Sequence, residues 1–427
     1  MTWESIANPL DEPILQARMP SGLRVLLNPR PRYHRTFAAF GTNFGSVDRV
    51  GGPAGEAVPA GLAHFLEHKL FEDEAGDVTD RFAEIGASTN AMTGFCGTTY
   101  IMSTVEGQAD GLDLLLDFVQ DPWFTDELVQ KEQGIIAQEI RMYDDDPDWR
   151  MFFGLLGCMY ARHPVRDNIA GSVESIAEID AATLKHCYEL FYHPSNMCLS
   201  ISGALDPAEV FDRVSADQEA RGMDERPPHR RVAVDEPVGV VEPRFETCLP
   251  VARPRVLLGI KERELGGEGG DVLRRELATR IMLDILFGQS SVAHEKLYTE
   301  GLVDETFGVS YSSDASFGFT TIGGDTDQPE LLEERVRDVL RKARTEGLDA
   351  AAFERIRHKV YGSQLRGMDL PENVAFSLIS ETFRGVAPLQ AFNLIQELGM
   401  DDLVARLEAH VHDDAITVAV VRPLDES

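Results

Sequence analysis

The chain has 427 residues, 40 Lys and Arg against 72 Asp and Glu, a formal net charge of -32, and 43% hydrophobic residues. That length and apolar content allow about two to three domains with proper cores. The acidity excludes nucleic acid and anionic membrane as natural partners; it would draw cationic peptides, although acidity also serves solubility. The opening Met1-Thr2-Trp3-Glu4-Ser5 has neither the basic region nor the apolar core of a signal peptide, and no apolar run is long enough to span a membrane. Cys96, Cys158, Cys187, Cys198 and Cys248 are odd in number and form no C-x-x-C pair. They point to a reducing compartment, with the cytoplasm as the default, and supply no cysteine metal site.

Strand-like sequence at Phe37 to Phe44 leads to an apolar helix around Gly61 to Phe71, with Pro59 suited to its first turn and Leu62, Phe65, Leu66, Leu70 and Phe71 as its stripe. Within it stands His64-Phe65-Leu66-Glu67-His68. Residues at i and i+4 lie one above the other on a helix, so His64 and His68 can aim two imidazoles at one point, with Glu67 on the same face to take a proton from water. The plain alternative is a helix with two surface histidines. Zinc would need a third ligand, and a carboxylate is the natural choice. Glu72, Asp73 and Glu74 read as a solvated helix end. Asn90-Ala91-Met92-Thr93 and Thr98 to Met102 read as two strands turned by Gly94 and Gly97, which on pattern alone is an ordinary hairpin with Asn90 in a turn. After a helix at Gly111 to Val119 comes a longer one, Asp126 to Tyr143, capped by Thr125 or Asp126, with Leu128, Ile135, Ile136 and Ile140 as its stripe. Glu132 and Glu139 are seven apart on it, nearly on one face. Glu139 is flanked by apolar residues where a metal would relieve the cost of burying a carboxylate, so it is the first candidate ligand. Glu132 is read as the carboxylate that orients a histidine, and stands next in line as ligand.

Arg221 to Pro237 is rich in Pro, Arg and acids and reads as a linker between a domain of residues 1–220 and one of residues 238–427. The second half repeats the order of the first: a strand at Val256 to Ile260, a helix at Leu277 to Phe287, a β-rich stretch at Phe307 to Gly323, and helices at Pro329 to Lys342 and Asp349 to Leu365. The pattern predicts an α+β chain of two homologous domains, each a mainly antiparallel sheet covered by helices. Laid on the first half, the second has Arg280, Leu283 and Asp284 opposite His64, Glu67 and His68, and Gln364 opposite Glu139. It lacks the metal-binding set. Gly323-Gly324-Asp325 reads as a turn, since no P-loop Lys follows.

H-x-x-E-H is the inverzincin signature. Through Gly61 to His68, Gly86 to Ala91, and Glu132 to Glu139, the chain resembles the pitrilysin family of zinc peptidases, which includes insulysin and the mitochondrial processing peptidase. The likeness runs from the Gly22-Leu23 hairpin to near the C-terminus. Phe71, Met142-Tyr143-Asp144-Asp145 and Tyr192-His193-Pro194-Ser195-Asn196 make it most like the roughly 400-residue bacterial members. The resemblance implies a zinc-dependent endopeptidase and half of a clam-shell peptidase chamber. It implies one Zn2+ per chain held by His64, His68 and Glu139, Glu67 as general base, and Glu132 in support. It also implies that the strand at Asn90 and Ala91 takes the peptide substrate as an added strand. One departure stands out. Active relatives carry an Arg and, seven residues later, a Tyr in the second half, where alignment on Gly301-Leu302 puts Leu297 and Asp304 here. The expectation is a processing-peptidase-beta-like subunit in a heterodimer, with a paralogous chain supplying the missing pair. The runner-up is a structural or assembly subunit of the same fold, and a third reading is a metal-binding module without catalysis.

Overall fold

The strands foreseen at Phe37 to Phe44 and Val256 to Ile260 fall in two separate sheets, the first of them ending at Thr42. The computed structural model describes residues 3–50, 57–74, 76–227 and 229–424. Met1 and Thr2 of the N-terminal reading and Pro228 of the linker lie outside the described residues. In chain order the first half contains β1 (Glu4–Ile6), β2 (Ile14–Arg18), β3 (Arg24–Pro29), β4 (Thr36–Thr42), α1 (Leu62–Leu70), the short β5 (Glu72–Asp73) and β6 (Gly76–Asp77), and α2 (Val78–Glu84). It continues through β7 (Ser88–Thr93), β8 (Thr98–Thr104), α3 (Gln108–Gln120), α4 (Asp126–Asp145), α5 (Pro147–Met159), α6 (Val173–Ala177), α7 (Ala181–Phe191), β9 (Met197–Gly203) and α8 (Pro207–Arg221). The second half has β10 (Arg244–Leu249), β11 (Arg255–Lys261), α9 (Gly269–Phe287), α10 (Val292–Thr299), β12 (Gly308–Ser313) and β13 (Gly318–Asp325). It ends with α11 (Pro329–Glu346), α12 (Ala350–Gly367), α13 (Pro371–Arg384), α14 (Gln390–Glu397), α15 (Met400–His410) and β14 (Ile416–Pro423).

The chain gathers into two compact units. Unit 1 is Met1–Ile140, Asn168–Val232 and Leu365–Gln390; unit 2 is Arg141–Asp167, Ala233–Gln364 and Ala391–Ser427. A simple division at residues 220 and 238 misses this exchange, in which each sheet receives a helix from the other half of the sequence. In unit 1, α13 lies on β9 and β4, with Phe376 edge-on to Phe37. In unit 2, α5 lies on β14 and β11, with Phe152 against Phe319. These helices carry no signal in the linear sequence because their apolar faces are completed by strands far away along the chain.

The sheet of unit 1 runs β1-β2-β3-β9-β4-β8-β7, and that of unit 2 runs β10-β14-β11-β13-β12. β3 with β9 and β10 with β14 are parallel pairs, and the other pairs within these sheets are antiparallel. The last five strands of the first sheet therefore match the whole second sheet in order and direction, as expected of a duplicated α+β fold. β4 is buried along its whole length because helices and neighbouring strands cover both faces.

Several local expectations change. α1 begins at Leu62 rather than at Pro59, and Gly61 ahead of it is left-handed at φ 88°. A Cβ on Gly61 would lie 2.4 Å from the Ala170 carbonyl oxygen. On α4 the buried stripe is Val129, Glu132, Ile136, Ala137 and Ile140, while Ile135 is exposed because its neighbour Ile136 occupies the inward direction. α9 starts at Gly269, two turns ahead of the expected Leu277. Gly323-Gly324-Asp325 is strand, not turn. Gly323 pairs with Leu257, and a Cβ there would meet the Val256 carbonyl oxygen at 1.9 Å, so the glycine permits close strand approach. Arg221 is the last residue of α8; from Gly222 on, the described linker residues form no helix or strand, yet they are anchored. Arg226 bonds the Glu189 and Leu190 carbonyls in unit 1. Glu236 accepts from the Ala161, Arg162 and His163 amides and from buried Lys261 in unit 2.

Candidate metal centre

α1 buries Leu62, Phe65, Leu66 and Leu70, each worth about 1.5–3 kcal/mol if fully transferred from water. That burial fixes the helix rotation and thereby the direction of the histidines. α4 does the same for the glutamates through Val129, Ile136 and Ile140. Thr125 caps α4 by accepting from the Leu128 amide, which decides between the two candidate caps. The sheet order leaves β7 at an edge, and α1 packs against it.

These supports bring His64, His68 and Glu139 to one point. His64 Nε2 lies 3.6 Å from Glu139 Oε1, and His68 Nε2 lies 3.4 Å from Glu139 Oε2. The donor atoms fall within 4.8 Å of one another, and among the described residues no other set of three His, Cys, Asp or Glu does so. Both separations exceed the usual hydrogen-bond range of about 2.7–3.2 Å. They match ligands on a tetrahedral zinc with bonds of about 2.0–2.1 Å, which stand about 3.3 Å apart. Two imidazole nitrogens and a carboxylate oxygen are also the donor types a catalytic zinc takes, so the residues fit the ion.

Glu132 is buried and its Oε1 lies 3.0 Å from His68 Nδ1. If Nδ1 carries the proton, Nε2 presents its lone pair toward Glu139. Behind Glu132 sits Lys69, fully buried, with Nζ 3.9 Å from Glu132 and 2.9 Å from Glu72. Lys131 also bonds Glu72, and Arg81 pairs with Asp73, so Glu72 and Asp73 are tied-down groups rather than a solvated helix end. Among the described residues, buried His64 Nδ1 has no hydrogen-bond partner, and of the two histidines only His68 is braced at Nδ1 by a carboxylate.

Burial, and then the charge of His68, pushes the His64 imidazole down to about 4 against the pull of Glu139 and Glu132. His64 is thus neutral near pH 7, with a lone pair for a metal. Burial opposes charge on His68 as well, but the hydrogen bond and charge of Glu132, with Glu139 and Glu67, together raise it. Burial raises Glu67 above the ordinary carboxyl range, against lowering by Thr93 and His68. A divalent cation beside Glu67 would pull it back toward the carboxylate.

Asn90 and Ala91 lie within β7, opposite Ile101 and Tyr100, rather than in a turn. The Ala91 amide points to the free edge, where Asn90 Oδ1 accepts it at 2.9 Å. Lys69 and Thr93, which bonds Glu67, carried no motif signal. The Lys69 to Glu72 spacing of three on a helix could have suggested that ion pair.

In unit 2 the corresponding positions are filled differently. Leu283 is buried, Arg280 is exposed, and Asp284 takes two bonds from Lys359 Nζ at 3.1 and 3.2 Å. They line a cavity of about 210 Å³ with Tyr311 of β12. Leu297 is 2% exposed, and Asp304 accepts from Arg253 and from the Thr306 amide.

A duplicated fold with the inverted histidine–glutamate motif on one helix and a distal glutamate on another defines a chain of the metallopeptidase class. Residues 51–172 match the family described as Insulinase (Peptidase family M16), and residues 178–360 match the Peptidase M16 inactive domain. The chain is 39% identical over 418 residues to the uncharacterized zinc protease YmfH of Bacillus subtilis strain 168, covering 97% of each. A protein of Alicyclobacillus acidocaldarius described as an M16-like peptidase superposes with TM-score 0.94 and 39% identity, over 99% of this chain and 100% of that one. Pitrilysin shares the fold at TM-score 0.76 and 17% identity, over 98% of this chain but 46% of pitrilysin. The chain belongs to peptidase family M16, the insulinase family.

Proposed function

We propose that the chain is a zinc-dependent endopeptidase acting on peptides or small unfolded polypeptides. The observation that carries this reading is the convergence of His64, His68 and Glu139 on one point, with Glu67 on the same helix turn. His64, His68 and Glu139 would hold one zinc ion. When bound, zinc would polarise the scissile carbonyl and make water a competent nucleophile near neutral pH. Glu67 takes a proton from the attacking water and later delivers it to the leaving amine. Glu132 holds the His68 tautomer. The free edge of β7 offers the Ala91 amide to an extended peptide, whose main chain would displace the Asn90 side chain. Five free cysteines, of which Cys158, Cys187 and Cys198 are buried, support a reducing compartment such as the cytoplasm.

The buried Leu297 and the engaged Asp304 favour a further element of this reading. A paralogous subunit supplies the arginine and tyrosine that these positions lack, so the working enzyme is a heterodimer with this chain as its catalytic, processing-peptidase-beta-like member. The test is metal analysis together with cleavage of an internally quenched peptide by the chain alone and with the paralogue. The reading expects about one zinc per chain, activity abolished by Glu67→Gln, and a gain on adding the paralogue. Tight zinc with no cleavage in either state would favour the third reading, a metal-binding module without catalysis. Full activity of the monomeric chain would remove the partner.

A further inference from the structure

Among the described residues, the hydrogen-bond partner of the Glu67 carboxylate is Thr93, whose Oγ1 donates to Glu67 Oε2. Thr93 Oγ1 also lies 3.3 Å from Thr98 Oγ1, and Thr98 Oγ1 donates to the Phe44 carbonyl at 3.0 Å. A hydroxyl has one proton to give. That of Thr98 is committed to Phe44, and 3.3 Å is long for an O–H···O bond, which usually spans about 2.5–3.0 Å. The Thr93 proton therefore goes to Glu67.

Thr93 is itself firmly placed. It closes β7 opposite Thr98, and its β-branched side chain has few χ1 choices. The turn that follows is tied by Gly94 N to Gly97 O at 2.8 Å, Ser46 N to Gly94 O at 3.1 Å and Val47 N to Phe95 O at 3.1 Å. Gly45 makes this close approach possible, since a Cβ there would lie 2.4 Å from the Phe95 oxygen. A glutamate side chain has three rotatable bonds, and a carboxylate held at one oxygen keeps the other aimed.

We infer that Thr93 is a positioning residue, whose hydroxyl fixes the Glu67 carboxylate in the orientation that meets the attacking water. The inference rests on Glu67 acting as the general base. Thr93→Val keeps the shape and removes the donor, and Thr93→Ser keeps the donor. In the zinc-loaded protein, with its partner subunit where the chain alone is idle, Thr93→Val is expected to lose about ten- to a hundredfold in kcat, with KM within about twofold and zinc content unchanged. Thr93→Ser should stay within about threefold of wild type. In a Glu67→Gln background, Thr93→Val should add little further loss, because both act through one carboxylate. Crystals of Thr93→Val should show the Glu67 carboxylate rotated or in two conformers, a readout independent of activity. Should valine at this half-buried place cost the fold, Thr93→Ala carries the same expectations. Thr93→Val with wild-type kcat while Glu67→Gln is inactive overturns the Thr93 role alone. Full activity in Glu67→Gln overturns both it and the reading beneath it. Thr93→Ser as impaired as Thr93→Val would reduce Thr93 to a packing residue.

Discussion

The corner made by α1, α4 and β7 in unit 1 and that made by α9, α12 and β12 in unit 2 rest on the same strand order and carry different side chains. In unit 1 the helix turn carries His64, Glu67 and His68, and the distal carboxylate stands 3.4–3.6 Å from the two imidazoles. Those separations exceed the usual hydrogen-bond range and suit the proposed zinc ion. In unit 2 the equivalent turn is internally satisfied: Asp284 is held by Lys359, and Leu283 is packed away. The scaffold is repeated, and the chemistry resides in a handful of side chains.

That contrast can be broken most severely by removing a ligand. Glu139→Gln or His64→Ala should cost most of the bound zinc and with it all measurable hydrolysis, because three ligands are the minimum for a catalytic zinc site. Metal analysis after desalting checks this, and full zinc in Glu139→Gln would transfer the ligand role to Glu132. Glu67→Gln comes next: zinc retained and turnover reduced at least about a hundredfold, measured by steady-state kinetics. Ala91→Pro removes the edge donor of β7 and should raise peptide KM severalfold, with kcat less affected. A folded variant with unchanged KM would show that this edge does not dock substrate.

Two buried glutamates extend the comparison to pH. In unit 2, burial would raise Glu262, but His410, Arg406 and Tyr311 outweigh it and hold it far below the carboxyl range. In unit 1, burial raises Glu381 to about 7, only partly offset by the Leu389 amide and Ser377. The signs are opposite. Glu262 binds fewer protons folded than unfolded, so its stabilisation is present above the ordinary carboxyl range and lost as pH falls toward its folded value. Glu381 binds more protons folded, so its contribution is full below about 4.5 and lost as pH rises to about 7, a span worth about 3 kcal/mol. Glu381→Gln should flatten the fall in stability of unit 1 between those pH values, followed by denaturant unfolding; an unchanged slope would assign the effect to another group. Least is expected of Asp284→Ala, which should leave one zinc per chain and cost about 1 kcal/mol or less in melting experiments.

Much of this was legible in the sequence because the informative groups lie close together along it. His64, Glu67 and His68 share one helix turn, and Glu132 and Glu139 share two turns of another, so helical periodicity alone aligned them. The duplication was legible because strand and helix patterns recur in the same order. What was hidden depends on partners distant in sequence. α5 and α13 pack on sheets formed by other parts of the chain, Ile135 faces outward although its composition suggested burial, and Gly323 is a glycine because Val256 approaches it. Thr93 was invisible for the same reason, since its bond to Glu67 spans 26 residues and a sheet edge.

The most direct measurement is a crystal structure of the zinc-loaded chain, with anomalous scattering collected on both sides of the zinc edge. The account predicts a single strong zinc peak in each chain, with His64 Nε2, His68 Nε2 and a Glu139 oxygen at about 2.0–2.2 Å and no peak beside Asp284. A peak coordinated by Glu132 in place of Glu139, or no zinc at this site in protein that cleaves peptides, would contradict it.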